Sequence, residues 1–495
     1  MNTTAQHDTK LLTANPQYVA ESDATIAALH GPATGIAVYD PSTGEKIACV
    51  PDSTPEEAIA AVGRAHAFGA SWAEQSPRHR ASILHHWYEL LIEHGEQLAK
   101  LISREMGKPL AEARGEVKYG TDFVRWYAEE AVRPGGHFQT APDGGADILT
   151  RRAPVGLAVL ITPWNFPLAM ATRKIAPALA AGCPVVIKPA TATPLTTYYA
   201  VQLAVEAGVP QDLIQVVSTS DSAAFSRAVL ADPRVRKISF TGSTPVGRTL
   251  LERASKNVLR SSMELGGNAP LLVFDDADFE RAIEGTIAAK LRNGGQSCIG
   301  ANRIYVQSGI ADEFASELAR RFAEIEVGAG LSDSAKLGPL IDQRAAGQMQ
   351  ELVQDALGSG AQLLAGGHGY SEAGHFFAPT VLDHVDPLAR VSSEEIFGPI
   401  AAIRRFDNEH QVLDWANDTE FGLAGYVFTQ DMDRALNVAD RLQTGIVGIN
   451  QGVPSNAAAP FGGVKQSGLG REGASEGLEE YQSIRFYNIS RRSTC

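Results

Sequence analysis

Between residues 156 and 262 the chain repeats one pattern: a short apolar run, a turn marked by Gly or Pro, then helical text. VGLAVLIT is followed by TRKIAPALAAG, and PVVIKP by TTYYAVQLAVEAG. LIQVVS, SRAVLADP and KISFTG continue the alternation. Runs this short and this apolar suit strands buried on both faces, with the helices between them crossing back over the sheet. A parallel sheet covered on both sides is the α/β arrangement this implies. The pattern resumes after residue 268 as PLLVF, an Ala-rich helix, RIYVQ and a further helix, reaching GIVGIN near residue 450. Two α/β bodies are the simplest account, and 495 residues suffice for two cores.

The flanks read differently. Residues 1 to about 30 are polar and rich in Thr and Ala, the text of a loosely held arm. GIAVYDPSTGEKIACV alternates apolar residues around a Pro41–Gly44 turn and predicts a hairpin. Thr54-Pro55-Glu56-Glu57 opens a helix with an N-cap, a proline in the first turn and a capping box. Ile83, Trp87, Leu90, Leu91 and Leu98 fall at helical spacing in a stretch that closes at Gly107. DILTRRAP returns to β text interrupted by Arg151 and Arg152, an extended excursion from one body. The closing SIRFYNIS has no local partner; it pairs either with the 138–155 excursion or with another subunit.

Charge and cysteine usage narrow the function. The formal charge is −14, which disfavours a nucleic-acid surface. Four scattered cysteines (Cys49, Cys183, Cys298, Cys495) form neither a disulfide framework nor a metal site, and suit a reducing compartment. The first residues lack the apolar core of a secretion signal, and no apolar run is long enough to span a membrane. The expected location is the cytoplasm.

Chemistry concentrates in a few stretches. Arg292-Asn293-Gly294-Gly295-Gln296-Ser297-Cys298 brings two bare glycines to the approach of one thiol. A thiolate attacks carbon electrophiles well and needs only partial pKa depression to be populated near neutrality. The plain alternative is a small buried hydrophobe. KISFTGSTPVGRT reads as strand, glycine turn and helix N-terminus, either a phosphate site at Gly242 and Ser243 or plain βα punctuation. It is not a Walker A loop, since Arg248 stands where lysine is needed, and GxGxxG is absent. Lys188 ends a buried-strand pattern, where sheet ligands gather. Glu264, before Gly266 and Gly267, is either a general base or an ordinary surface glutamate. Asn165, in Pro163-Trp164-Asn165-Phe166-Pro167, either stabilises an oxyanion through its amide or caps the next helix.

Together these stretches resemble the aldehyde dehydrogenase superfamily from about Ile36 to Tyr487. PWNFP, KPA, FTGS, MELGG, GQSC, EEIFGPI and PFGGVKQSGLGRE occur in that family's order and approximate spacing. The resemblance implies a variant Rossmann cofactor domain (1–137 and 156–267) and an α/β catalytic domain (268–450). It also implies an oligomerisation arm (138–155 and 482–495) and a segment, 451–481, that closes between the domains. Cys298 is then the nucleophile and Glu264 the general base, with Asn165 and the Cys298 N–H as oxyanion hole. Trp164, Lys188, Thr191, Gly242, Ser243, Glu395 and Phe397 are implied cofactor contacts. The implied reaction runs through a cysteine thiohemiacetal and a thioester, with hydride passing to NAD or NADP and no metal.

Within the superfamily the text is most similar to the succinate-semialdehyde dehydrogenases, through TRKIAPALAAG, RNGGQSC and APFGGVKQSGLGREG. That family holds its substrate's distal carboxylate with two arginines and a serine, matched here by Arg173, Arg292 and Ser455. Paired guanidinium forks suit a carboxylate; the plain alternatives are a surface residue for Arg173 and a helix C-terminal charge for Arg292. Two positions depart from the pattern. Gly300 replaces a second cysteine, so a local disulfide switch is not expected. Thr191 replaces the glutamate that contacts the adenosine ribose in many NAD-preferring members, which favours NADP. The implied assembly is a homo-oligomer, a dimer or a dimer of dimers (homotetramer). A dehydrogenase for another aldehyde (glutarate semialdehyde, aliphatic or aromatic) and a catalytically silent binding protein on the same scaffold remain as alternatives.

Overall fold

The protein was analysed as a computed structural model, which describes residues 11–29, 31–133, 135–370 and 373–491. The first alternation folds into a six-stranded sheet. Its order is Gly468–Leu469, Arg260–Glu264, Val235–Thr241, Leu157–Ile161, Val185–Lys188, Ile214–Val216, all parallel except the two-residue edge. Alternate residues feed opposite helix layers, which is why the strands read as unbroken apolar runs. Ala158, Leu160, Val185 and Ile187 pack under helices Pro167–Ala181 and Leu195–Glu206. Leu157, Val159, Val186 and Ile238 pack under helices Pro55–Glu74, Ser222–Ala231 and Thr244–Ser255. The chain therefore leaves strands 157–161 and 235–241, which are neighbours, toward opposite faces. A crevice opens between their carboxyl ends, the place where ligands bind in such sheets.

The second alternation gives a seven-stranded sheet ordered Gln362–Ala365, Thr380–Asp383, Ile400–Phe406, Ala301–Gln307, Ala269–Val273, Ala424–Phe428, Ile446–Ile449. Only its first edge strand is antiparallel. Cys298 precedes strand 301–307, and Glu395 and Phe397 precede strand 400–406. The second sheet thus offers the amino ends of its strands to the carboxyl ends of the first.

A third sheet has three antiparallel strands, Gln482–Ser490, Ala146–Pro154 and Phe138–Thr140. SIRFYNIS pairs with the excursion inside the chain, in unbroken register from Gln482↔Pro154 to Ser490↔Ala146. The hairpin forms as Ile36–Tyr39 and Lys46–Val50, and the Thr54/Glu57 capping box is present.

Two expectations need correction. The stretch closing at Gly107 is not one helix but two, Pro77–Glu93 and Gly95–Met106, meeting at His94. The described part of the first thirty residues is not loose. Asn15 caps helix Pro16–Ala28, which Lys100 and Arg104 hold through Glu21 and Asp23. Leu12 and Asn15 bond the backbone at Val327 and Leu331. The signal was local: an Asn cap followed by Pro.

Candidate active site

The thiol sits on a loop that only unusual backbone can make. Helix Phe279–Leu291 ends, and Asn293, Gly294 and Gly295 then follow at φ 55, 65 and 74°, three consecutive left-handed residues. Glycine adopts this readily and asparagine tolerates it. The loop is also tightly faced. A Cβ on Gly295 would lie 2.1 Å from the Gly398 carbonyl, and one on Gly267 would lie 2.3 Å from the carbonyl of Cys298 itself. The second glycine of MELGG is thus there for room: it lets the first strand of one sheet approach the nucleophile's backbone. Gln296 fixes the turn, donating to Asn293 O at 3.1 Å and accepting from Ile341 N at 2.9 Å. Tyr426 Oη bonds Ile299 O at 2.6 Å from the other side.

The Cys298 thiol is pushed up to about 12 by burial, against the pull of Arg173, with Glu395 and Glu264 raising it further. Desolvation outweighs the opposing Arg173 guanidinium, so the thiol stays above its ordinary value. Glu264 ends strand 260–264 and is 2% exposed. Burial first, then Glu472, hold its carboxyl well above the usual range, while Arg173, Lys174 and Arg471 oppose them. A Cβ on Gly462 would come within 2.9 Å of Glu264 Oε1, so this glycine gives the carboxylate its space. Asn165 Nδ2 donates to Gln296 O at 3.0 Å, two residues before the thiol. Both Glu264 oxygens, Asn165 Oδ1 and Arg173 Nη2 are buried with no hydrogen-bond partner among the described residues.

Arg173 is not the surface residue its helix position allowed. It is 1% exposed, ion-paired with Glu472 and stacked 4.7 Å from the Phe461 ring centre. Glu472 pairs Lys174 as well. Burial pushes this carboxyl up, but Arg173 and Lys174 outweigh it and hold it below the ordinary value. Arg292 is placed differently. It is half-buried, with its guanidinium 4.9 Å over Phe166 and 5.7 Å over Tyr119. It lines a cavity of about 580 Å³ with Phe166, Leu291, Glu112, Lys336 and Val453. Ser455 is half-buried in the same loop as Val453.

The candidate cofactor residues gather at the crevice. Trp164 follows strand 157–161, Lys188 ends its neighbour, and Gly242 and Ser243 follow strand 235–241. Ser243 is the N-cap of helix 244–255, yet its side chain makes no capping bond. Burial lowers Lys188 to about 8, and its ammonium donates to Pro189 O at 3.3 Å. Thr191 is half-buried three residues on. From the opposite sheet Phe397, itself left-handed at φ 52°, meets the Trp164 ring edge-on at 5.4 Å. Glu395 Oε1 accepts from Gly267 N at 3.2 Å, and burial pushes its carboxyl up to about 7. A Cβ on Gly266 would crowd Glu395 Oε2 at 2.9 Å.

Sequence reasoning passed over Tyr119, Lys174 and Glu472. Glu472 lay in sight, as the acid of GLGRE, but nothing local says that a residue so far along the chain meets the helix after PWNFP.

The chain matches the aldehyde dehydrogenase family over residues 29–487. It is 49% identical over 444 residues to the succinate-semialdehyde dehydrogenase of Paenarthrobacter nicotinovorans, covering 90% of this chain and 99% of that protein. It is 46% identical to the Escherichia coli K12 succinate-semialdehyde dehydrogenase [NADP(+)] GabD, over 92% of this chain and 94% of that one. At the same 46% stand two Pseudomonas putida enzymes, a 3-sulfolactaldehyde dehydrogenase (91% and 92% covered) and a glutarate-semialdehyde dehydrogenase (92% and 94%). The crystal structure of succinate-semialdehyde dehydrogenase from Burkholderia pseudomallei superposes with TM-score 0.91 at 45% identity, covering 92% of this chain and 95% of that one. Betaine aldehyde dehydrogenase from Staphylococcus aureus, in complex with NAD+, gives 0.89 at 34%, covering 92% and 91%.

Proposed function

The chain belongs to the aldehyde dehydrogenase family, and from that we propose that it oxidises succinate semialdehyde to succinate with NADP+ or NAD+, NADP+ being favoured. The observation that carries the substrate reading is Arg292: a guanidinium without a carboxylate partner among the described ion pairs, laid over two aromatic rings at a cavity near the thiol loop. Succinate semialdehyde, glutarate semialdehyde and 3-sulfolactaldehyde each carry an anionic group besides the aldehyde. A cation at this position suits all three, so chain length is the finer choice.

The crevice fits a nicotinamide dinucleotide. The uncapped side of Ser243 and the N-terminus of helix 244–255 suit its phosphates, with Lys188 and Thr191 toward the adenosine ribose. Glu395, Trp164 and Phe397 would flank its other end. When bound, the cofactor takes up the hydride of the aldehyde carbon. The residues do the rest. Cys298 Sγ, as thiolate, bonds the aldehyde carbon and gives a thiohemiacetal. Asn165 Nδ2 and the Cys298 N–H hold the oxyanion. After oxidation to the thioester, Glu264 takes a proton from the attacking water, and the carbon–sulfur bond breaks to release the acid and the thiolate. A carboxyl held above its ordinary range is a stronger base once ionised, which suits that role.

The test compares succinate semialdehyde, glutarate semialdehyde and butanal on the wild type and on Arg292→Leu. A charge-assisted bond contributes roughly 1.5–3 kcal/mol, so kcat/KM for the semialdehyde should fall about 10–200-fold, mostly through KM, while butanal is spared. Equal handling of butanal and the semialdehyde by the wild type would move the reading to an uncharged aldehyde. No reduced cofactor with any aldehyde would leave a silent scaffold. Arg292 is a cleaner probe than Arg173, whose loss would also strand the buried Glu472. We read the three-stranded arm as a contact in a dimer or dimer of dimers, and the location as cytoplasmic.

A further inference from the structure

Asn165 is held in part by two residues outside the motifs named above, Lys108 and Glu116. Its backbone carbonyl accepts from Lys108 Nζ at 3.0 Å and from Asn293 Nδ2 at 3.0 Å. Lys108 is ion-paired with Glu116, and their side chains are 1% and 0% exposed. Its ammonium also lies 3.8 Å from the centre of the Phe166 ring. The other Glu116 oxygen accepts from Leu168 N at 2.9 Å and Ala169 N at 3.2 Å. It thereby caps helix Pro167–Ala181, whose own N-cap residue, Phe166, makes no side-chain capping bond. One turn earlier on the same helix, Leu110–Glu130, Glu112 accepts from Asn293 N at 2.7 Å. That helix therefore grips both loops of the site, the PWNFP turn through Glu116 and the nucleophile turn through Glu112.

The consequence falls on one amide. Asn165 Nδ2 carries two protons and spends one on Gln296 O. That bond orients the second proton only if the Asn165 backbone and the 293–296 turn keep their separation. Two donors on the Asn165 carbonyl and the Glu116 cap on the Leu168 and Ala169 N–H groups set this separation from the PWNFP side.

We infer that Lys108 and Glu116 are positioning residues for the oxyanion donor, setting the Asn165 amide against the Cys298 loop through the PWNFP backbone. The inference rests on the proposed role of Asn165, so the experiment measures that role separately. A buried pair that only stabilised the fold would lower the melting temperature without selecting one chemical step. A positioning pair lowers the rate of the step that Asn165 serves, and lowers it only while Asn165 is present.

The experiment is a double-mutant cycle on the full-length enzyme with saturating cofactor and succinate semialdehyde, reading single-turnover formation of reduced cofactor, KM and melting temperature. Asn165→Ala alone should slow the turnover by about 10²–10³-fold. Glu116→Gln keeps an oxygen for the Leu168 and Ala169 N–H groups but removes the charge that holds Lys108. Lys108→Met/Glu116→Gln removes both charges at similar volume and is the form to use if Glu116→Gln does not fold. Each should slow the turnover about 10–100-fold with KM nearly unchanged, as expected for a misplacement near 1 Å. In the Asn165→Ala background the same changes should cost less than about twofold. Equal losses in both backgrounds, or no loss in the first, would overturn the positioning role. An unslowed Asn165→Ala would instead overturn the oxyanion assignment, and the positioning role with it.

Discussion

At residue scale, the thiol sets the first expectation. Burial pushes Cys298 up to about 12. Only the thiolate alkylates, so a raised pKa makes the reactive fraction small at neutrality and lets it grow tenfold per pH unit. Iodoacetamide labelling of Cys298, followed by peptide mapping, should therefore keep accelerating through pH 9. A plateau below about pH 8.5, where an ordinary cysteine titrates, would contradict the burial argument. Thr191 sets the second expectation. A hydroxyl there does not repel a 2′-phosphate, so NADP+ should be accepted well. Thr191→Glu should lower kcat/KM for NADP+ at least about tenfold more than for NAD+, because a carboxylate would face the extra phosphate. Equal losses with the two cofactors would mean that residue 191 does not meet the ribose.

At the scale of elements, the two adjacent glycines of MELGG separate by what they face. A Cβ on Gly267 meets the Cys298 carbonyl, a backbone atom that moves only if the loop moves. A Cβ on Gly266 meets the end of the Glu395 side chain, which has rotatable bonds to yield. Gly267→Ala should therefore cost about 10²-fold in kcat through displacement of the nucleophile. Gly266→Ala should chiefly raise the KM for cofactor. A crystal structure of Gly267→Ala with the Cys298 loop unmoved, or near-normal kcat, would refute the steric account. The motif was legible in the sequence, and so was a glycine's value near a thiol. Which glycine serves which residue was not, because the clash partners lie 31 and 129 positions downstream.

At the scale of the molecule, one sheet presents strand carboxyl ends and the other strand amino ends, and the site lies where they meet. The arm stands apart from both. Strand 482–490 is an outer strand of its sheet, and Ile484 and Phe486 are 64% and 60% exposed on it. An uncovered edge with apolar side chains is a pairing surface. Ile484→Lys/Phe486→Lys should lower the mass seen by light scattering after size exclusion while leaving the melting transition of the remaining fold. A wild type that is already monomeric, or a double variant with unchanged mass, would remove the arm from the interface.

What the sequence determined by itself is what depends on neighbours in the chain. Strand runs, caps, the Gly107 stop and the candidate motifs all announce themselves within about ten residues, because propensity, capping and periodicity act over one or two turns. The helix Pro16–Ala28 was legible on those terms too, through the Asn15 cap and the proline that follows it. Only the tertiary structure decided the partners. It buried Arg173 against Glu472, left Arg292 over two rings, and set Lys108 and Glu116 behind Asn165. Burial decides the protonation of Cys298 and Glu264, and no residue carries its own burial in its letter. Desolvation and charge pairing are properties of the enclosure, which forms only once the two sheets have closed on each other.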